Sequence, residues 1–235
     1  MLLIPPRRPS QERLDDPDLP SEEMSRSLRD IALVNRRWGG SRALASHLLE
    51  RRKQGGPSPV RILDVGAGSG DVSRRLVRQL QLGGLPARVV AVDLQWRHLA
   101  AGRRMSGVPL ALAAADALRL PFPPRSFDWT ISTLLFHHFP PEQSARLLRE
   151  VARVSREGFL FLDLRRHLFP LIFVRIAGPL LFRSRVSVED GAASVRQAYT
   201  PAEAQEIAES VVPGTRVKKV FPFRLLISNS GSESP

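Results

Sequence analysis

The sequence predicts an α/β fold: a doubly wound, mainly parallel sheet with helices on both faces. Three observations predict it. Short apolar runs alternate with helical patterns from Val60 to Leu162, no strong hairpin signal separates those runs, and the first of them ends in a glycine cluster. The chain has 235 residues, 43% of them hydrophobic and 25% charged, which suits one α/β domain with additions.

Residues 1–20 hold five prolines (Pro5, Pro6, Pro9, Pro17, Pro20) and an acidic cluster, the composition of a flexible N-terminal arm. Met1–Ile4 runs at once into Pro-Pro-Arg-Arg, too short an apolar start for a secretory signal, so a cytoplasmic location is expected. Across 21–56, Met24, Leu28, Ile31, Leu44 and Leu48 recur at helical spacing broken by Gly39 and Gly40, which predicts a cap of two helices. A linker follows at Gly55–Pro59, and the main domain is expected over 57–230.

In that domain Val60–Val65 reads as a buried parallel strand. Then come a helix at Asp71–Leu82, a strand at Arg88–Val92, a helix at Trp96–Met105 and a strand at Pro109–Ala114. Phe127–Thr133 is a fourth strand, Pro141–Val154 a helix and Gly158–Leu162 a fifth strand. An insertion occupies 164–200, and a helix follows at Pro201–Val211. Arg216–Val220 and Phe223–Ile227 are strands separated only by Phe221 and Pro222, so they must pair antiparallel. Ser228–Pro235 reads as a frayed tail.

The 35 basic and 23 acidic residues leave a net charge of +12, almost all of it from arginine. Such a field attracts nucleic acid, an anionic membrane face or an acidic substrate; it also arises from arginine-rich composition alone. The absence of cysteine excludes disulfides, thiolate metal sites, iron–sulfur clusters and a cysteine nucleophile. No metal ligand set is assigned.

The first strand leads into Asp64, Val65, Gly66, Ala67, Gly68, Ser69, Gly70 and Asp71. Its glycines fall at GxGxG, and Asp71 stands where the dinucleotide pattern has its last glycine. Glycines let the backbone turn sharply against a ligand, and the next helix offers free amides. The second strand ends at Asp93, followed by Leu94, where a carboxylate can accept both hydroxyls of a ribose. Asp116 and Ala117 follow the third strand, where a short acid can take the exocyclic amine of an adenine. Three adjacent strand ends would thus hold one adenosine.

From Val60 to Leu162 the chain resembles the class I S-adenosylmethionine-dependent methyltransferases, and within them the ubiquinone and menaquinone biosynthesis group. The carriers are LDVGAGSGD at 63–71, VVAVD at 89–93 and ADALRLPFPPRSFDWTISTLLFHHF at 115–139. The resemblance implies a seven-stranded sheet in the order 3-2-1-4-5-7-6 with strand seven antiparallel. It also implies S-adenosyl-L-methionine as cofactor. Its methionine part would lie along Asp64, Gly66, Ala67, Gly68 and Ser69, its ribose at Asp93 and Leu94 and its adenine at Asp116 and Ala117, with Thr133 at the end of strand four.

Methyl transfer from a sulfonium is an in-line displacement, so positioning and exclusion of water dominate. His137 and His138 lie just past strand four and are the candidate bases for a hydroxyl acceptor; packing or local capping is the alternative for both. Without cysteine, covalent attack on cytosine and radical methylation are excluded. Ser132-Thr133-Leu134-Leu135 also differs from the signature usual in methylation of nucleobase amines.

Within the insertion, LFPLIFVRIAGPLLF at 168–182 is flanked by arginines and too short to span a bilayer. It suits a lid over an oily substrate or a membrane-surface contact, against the alternative of a helix buried on the N-terminal cap. Arg37, Trp38 and Tyr199 are the candidate substrate-wall residues. A lipophilic small molecule (phenol, quinone precursor or polyketide-like), methylated on oxygen or ring carbon, is the expected acceptor. RNA-directed methylation and cofactor binding without transfer are the alternatives; no RNA-binding appendage is recognisable.

Overall fold

The structure, a computed structural model, describes residues 3–38, 40–52, 59–103 and 108–230. Most of the linker expected at Gly55–Pro59, Gly39 of the helix break, the helix end toward Met105 and the last part of the tail lie outside them.

Among the described residues, eight α-helices and seven strands follow one another as α1 (Ser21–Arg37), α2 (Gly40–Arg52), β1 (Val60–Val65), α3 (Asp71–Leu82), β2 (Ala87–Asp93), α4 (Trp96–Arg103), β3 (Ala111–Ala114), β4 (Phe127–Thr133), α5 (Pro141–Val154), β5 (Ser155–Leu164), α6 (Leu168–Leu181), α7 (Arg185–Gln197), α8 (Pro201–Val211), β6 (Arg216–Val220) and β7 (Arg224–Ser230). The strands form one sheet in the order β3-β2-β1-β4-β5-β7-β6. Pairing is parallel from β3 through β5, and β7 runs antiparallel to both β5 and β6. Fold class and strand order agree with the sequence reading.

Alternation of side chains along each strand divides the core into two layers. Leu63 and Val65 of β1, Phe159 and Phe161 of β5, and Leu225 and Ile227 of β7 pack against α5 and α8. Their neighbours Ile62, Leu160, Leu162 and Leu226 turn the other way, onto α2 and α3. Every residue of β4 is buried, as expected of a central parallel strand covered on both faces.

Several boundaries differ from expectation. β5 is longer than Gly158–Leu162 at both ends, and its extension carries Asp163 onto the sheet edge beside Leu225. The insertion forms two helices, α6 and α7. Their division follows from α1: the carboxylate of Asp30 accepts hydrogen bonds from the amides of Arg183 (2.9 Å) and Ser184 (3.0 Å) and from the Ser187 hydroxyl (2.9 Å), capping α7 from another helix. Val186 then packs with Leu19, Met24 and Leu28.

The N-terminal segment, expected as a flexible arm, is instead packed across the domain over residues 3–20. Arg7 Nε donates to the carbonyl of Gln197 (2.7 Å), the Leu3 carbonyl accepts from Leu168 N (2.8 Å), and Glu12 and Leu19 are buried.

Candidate active site

From β1 the chain winds outward through β2 and β3, then returns to β4 on the other side of β1 and proceeds to β5. The β1–β4 boundary is therefore the switch point, where the loops at the carboxyl ends diverge and leave a crevice. A cavity of about 1100 Å³ occupies it, with Gly66–Ser69, Asp93–Gln95, Ala115–Ala117 and Thr133–Leu135 along its floor.

The turn after β1 needs glycine for conformation and for space. Gly66, Gly68 and Gly70 have φ of 67°, 55° and 69°, and a Cβ on Gly66 would stand 2.8 Å from the Leu135 side chain. The turn is tied to β2: Gly68 N donates to Asp93 Oδ2 (2.7 Å) and Ala67 N to the Val92 carbonyl (2.9 Å). Asp93 Oδ1 accepts from Gln95 N (2.9 Å). A carboxylate offers about four acceptor positions, so two remain for the hydroxyls of a ligand. Asp116 accepts from Leu118 N (2.8 Å) and borders the cavity beside Ala117; Leu94, Ser69 and Thr133 border it too.

Three expected site residues lie elsewhere. Asp64 is buried beneath the turn, where Ser73 Oγ donates to it (2.7 Å), and does not line the cavity. Burial, then the nearby Asp71 and Asp93, push its carboxyl up to about 7 despite the Ser73 bond. Arg37 is exposed and takes no part in the cavity wall. Tyr199 belongs to the core: its hydroxyl donates to the Phe139 carbonyl (2.7 Å) and its ring lies under the Arg7 guanidinium. Trp38 does line the cavity and meets Phe173 of α6 edge to face, with centroids 5.6 Å apart.

His137 and His138 both border the cavity, in unlike surroundings. His137 is buried, with Nδ1 2.6 Å from Asp163 Oδ1 and Nε2 3.4 Å from Glu12 Oε1, the latter without hydrogen-bond alignment. Burial alone would lower its pKa, but Asp163 and Glu12 outweigh burial and hold it well above the ordinary imidazole value. Glu12 is driven the opposite way: burial raises it, and the two imidazoles bring it below the usual carboxylate range. His137 as a lone base is therefore disfavoured, because the imidazole already carries the proton it would have to accept. His138 is partly exposed, with Nδ1 3.3 Å from Asp15 Oδ2 and Nε2 3.7 Å from Glu12 Oε2.

Sequence reasoning missed Glu12, Asp15, Asp163 and Arg224. Asp163 had a signal, a carboxylate ending an apolar strand as Asp64 and Asp93 do. Arg224 lines the cavity from the start of β7, fully buried, with Nη2 3.2 Å from Asn35 Oδ1; burial lowers its pKa to about 10 against the pull of Asp163 and Asp71. Above the floor, the wall is largely apolar, built from Leu28, Ile31 and Val34 of α1, from Phe169, Ile172 and Phe173 of α6, and from Val195 of α7.

Residues 62–158 match the protein family described as a methyltransferase domain. The matched residues form a class I methyltransferase domain. S-adenosylmethionine is the cofactor of that class, and the glycine turn with Asp93 has the shape and acceptor chemistry to receive it. A ubiquinone/menaquinone biosynthesis C-methyltransferase of Methylobacterium nodulans is 35% identical over 130 residues, which cover 54% of this chain and 50% of the relative. A fatty-acid O-methyltransferase of Mycolicibacterium smegmatis is 34% identical over 108 residues, 45% of this chain and 37% of the relative. The match thus spans about half the length of these curated relatives or less. Among solved structures, a plantazolicin methyltransferase in complex with S-adenosylhomocysteine aligns at 16% identity with a TM-score of 0.59, covering 83% of this chain and 79% of that one. That likeness concerns the fold. Among the described residues, no helix is long and apolar enough to cross a membrane.

Proposed function

We propose that this protein transfers a methyl group from S-adenosylmethionine to an oxygen or ring carbon of a lipophilic small molecule. The observation that carries this reading is one continuous cavity with two chemistries, polar strand tips on its floor and an apolar roof above. Its volume of about 1100 Å³ exceeds the roughly 300–1,000 Å³ of single-ligand pockets, which leaves room for a cofactor and an acceptor together. The relatives named for quinone and fatty-acid methylation support an oily acceptor.

In this reading Gly66–Ser69 receive the methionine part, Asp93 the ribose hydroxyls and Asp116 with Ala117 the adenine, with Thr133 at the methyl end. When bound, the cofactor supplies a methyl carbon made electrophilic by a sulfonium. The chain's own contribution is to align the acceptor and exclude water, the work of the apolar wall formed by α1, α6 and α7. The insertion at 164–200 and the end of α1 at Trp38 serve as the lid.

α6 also supports a peripheral contact with an anionic lipid surface. Phe169, Ile172, Ile176, Leu180 and Leu181 are exposed, and Arg175, Arg183 and Arg185 lie exposed among or beside them. A lipophilic acceptor would then enter at the membrane face.

The test is to incubate the purified protein with methyl-labelled cofactor and, in parallel, a lipid extract and the RNA of its host, then identify labelled products. Label in an apolar phenol, quinone precursor or fatty acid is expected. Label confined to RNA, or no labelled product, contradicts the reading.

A further inference from the structure

Glu12, His137 and His138 present one donor atom each within 4.8 Å of one another. All three border the cavity, Glu12 from the packed N-terminal segment and the two histidines from the turn after β4. The two imidazole rings are 4.4 Å apart and tilted, and each turns Nε2 toward the same carboxylate, His137 to Oε1 at 3.4 Å and His138 to Oε2 at 3.7 Å. Donors about 2.0–2.1 Å from a tetrahedral ion stand roughly 3.3–3.4 Å apart, so small rotations would bring these atoms onto one centre.

A second set of carboxylates holds both rings from behind. Asp163 Oδ1 lies 2.6 Å from His137 Nδ1, and Asp15 Oδ2 lies 3.3 Å from His138 Nδ1. Carboxylates that accept from Nδ1–H fix the tautomer in which Nε2 holds the lone pair once an ion has displaced the proton there, the arrangement found behind metal-bound histidines. Glu12 is oriented in the same manner: Ser194 Oγ (2.5 Å) and Gln197 Nε2 (2.6 Å) donate to Oε1, leaving Oε2 turned to His138. The Nε2 of His137 is fully buried and has no hydrogen-bond partner among the described residues. The nearby cations are engaged elsewhere, Arg7 with the carbonyls of Gln197 and Phe139 and Arg224 with Asn35. Three carboxylates therefore face two imidazoles, an excess of negative charge that a dication would offset in part.

We propose that Glu12, His137 and His138 bind one divalent first-row transition-metal ion at the acceptor side of the cavity. Two nitrogens and one oxygen, without sulfur, suit zinc, iron(II) or manganese(II) and leave coordination positions open to the cavity. The use of the ion, unlike its binding, rests on the methyl-transfer reading. An acceptor hydroxyl coordinated there would lose its proton to water at a lower pH than in solution, keeping the oxygen lone pair for the methyl carbon. The ion would supply that activation without either histidine acting as a lone base.

The test is calorimetric titration of the chelator-treated full chain with zinc chloride, together with the visible spectrum after titration with cobalt(II). One ion per chain and a cobalt spectrum of nitrogen–oxygen coordination are expected. Glu12→Gln and His138→Ala should each weaken binding tenfold or more, while His167→Asn, outside the cluster, should leave it unchanged. Uptake of S-adenosylhomocysteine by each variant verifies that it is folded. Absence of stoichiometric binding, or binding indifferent to Glu12→Gln and His138→Ala, overturns the proposal. Full methylation in the presence of chelator, with no ion bound, overturns the role of the metal and leaves the methyl-transfer reading standing. Stoichiometric, variant-sensitive binding without any methylated product sustains the metal site and counts against that reading.

Discussion

Asp93 Oδ2 accepts a hydrogen bond of 2.7 Å from the amide of Gly68, so the end of β2 locks the turn that follows β1. One carboxylate shapes the glycine turn and, in the proposed reading, also accepts from a ribose. Asp93→Ala should weaken binding of S-adenosylhomocysteine by about tenfold to a hundredfold, the equivalent of one or two charge-assisted hydrogen bonds. Calorimetry on the folded variant measures this; unchanged affinity would remove Asp93 from the cofactor site.

The same turn packs directly against Gly102 of α4. A Cβ there would stand 1.9 Å from the Ser69 carbonyl oxygen, a backbone atom with little freedom to withdraw. Gly102→Ala should therefore displace the turn, costing about 1–3 kcal/mol of stability as overpacking does and weakening the cofactor as well. Urea unfolding and calorimetry read the two effects separately; a variant as stable as wild type would show that α4 can shift freely.

Asp64 gives stability a dependence on pH. Its carboxyl is raised to about 7 in the folded chain against an ordinary 3.8, chiefly by burial. A raised folded value means that the folded state holds the proton longer. The contribution is complete below about pH 4 and is lost as pH rises through 7, on the order of 4 kcal/mol at most. Asp64→Asn keeps an acceptor for Ser73 and should flatten the fall in unfolding free energy between pH 5 and 8. An equal slope in both proteins would refute the assignment.

Trp38 and Phe173 close the roof of the cavity from two segments remote in sequence. Trp38→Ala should raise the KM for a lipophilic acceptor about tenfold, from lost aromatic contact and burial, and leave cofactor affinity within about twofold. A loss confined to cofactor affinity would place Trp38 outside the acceptor wall.

The exposed apolar side of α6 predicts co-sedimentation with anionic vesicles that declines with salt and falls further in Ile176→Asp with Leu180→Asp. Equal recovery with neutral and anionic vesicles, or no recovery, would separate the acceptor roof from any membrane contact.

The parallel sheet was legible because period-two apolar runs and helical periods have different physical origins, and because Gly66 and Gly68 mark a turn few other residues can make. Asp93 and Asp116 followed from their places at strand ends. Asp64, equally visible, is turned beneath the turn by its bond to Ser73, a choice between faces that spacing alone does not make. The division of 164–200 into α6 and α7 depends on Asp30, and the packing of residues 3–20 depends on Glu12 meeting His137. Such contacts join residues more than a hundred positions apart and exist only once the sheet has brought them together. Tyr199 and Arg37 show the converse, since an aromatic or arginine near a predicted lid can as well belong to the core or to solvent.

The central claim is that the tips of β1, β2 and β3 bind a sulfonium nucleoside. Isothermal titration of the folded full chain with S-adenosylmethionine and S-adenosylhomocysteine tests it most directly. The account predicts saturable uptake of one molecule per chain for both. Folded protein that takes up neither would contradict it.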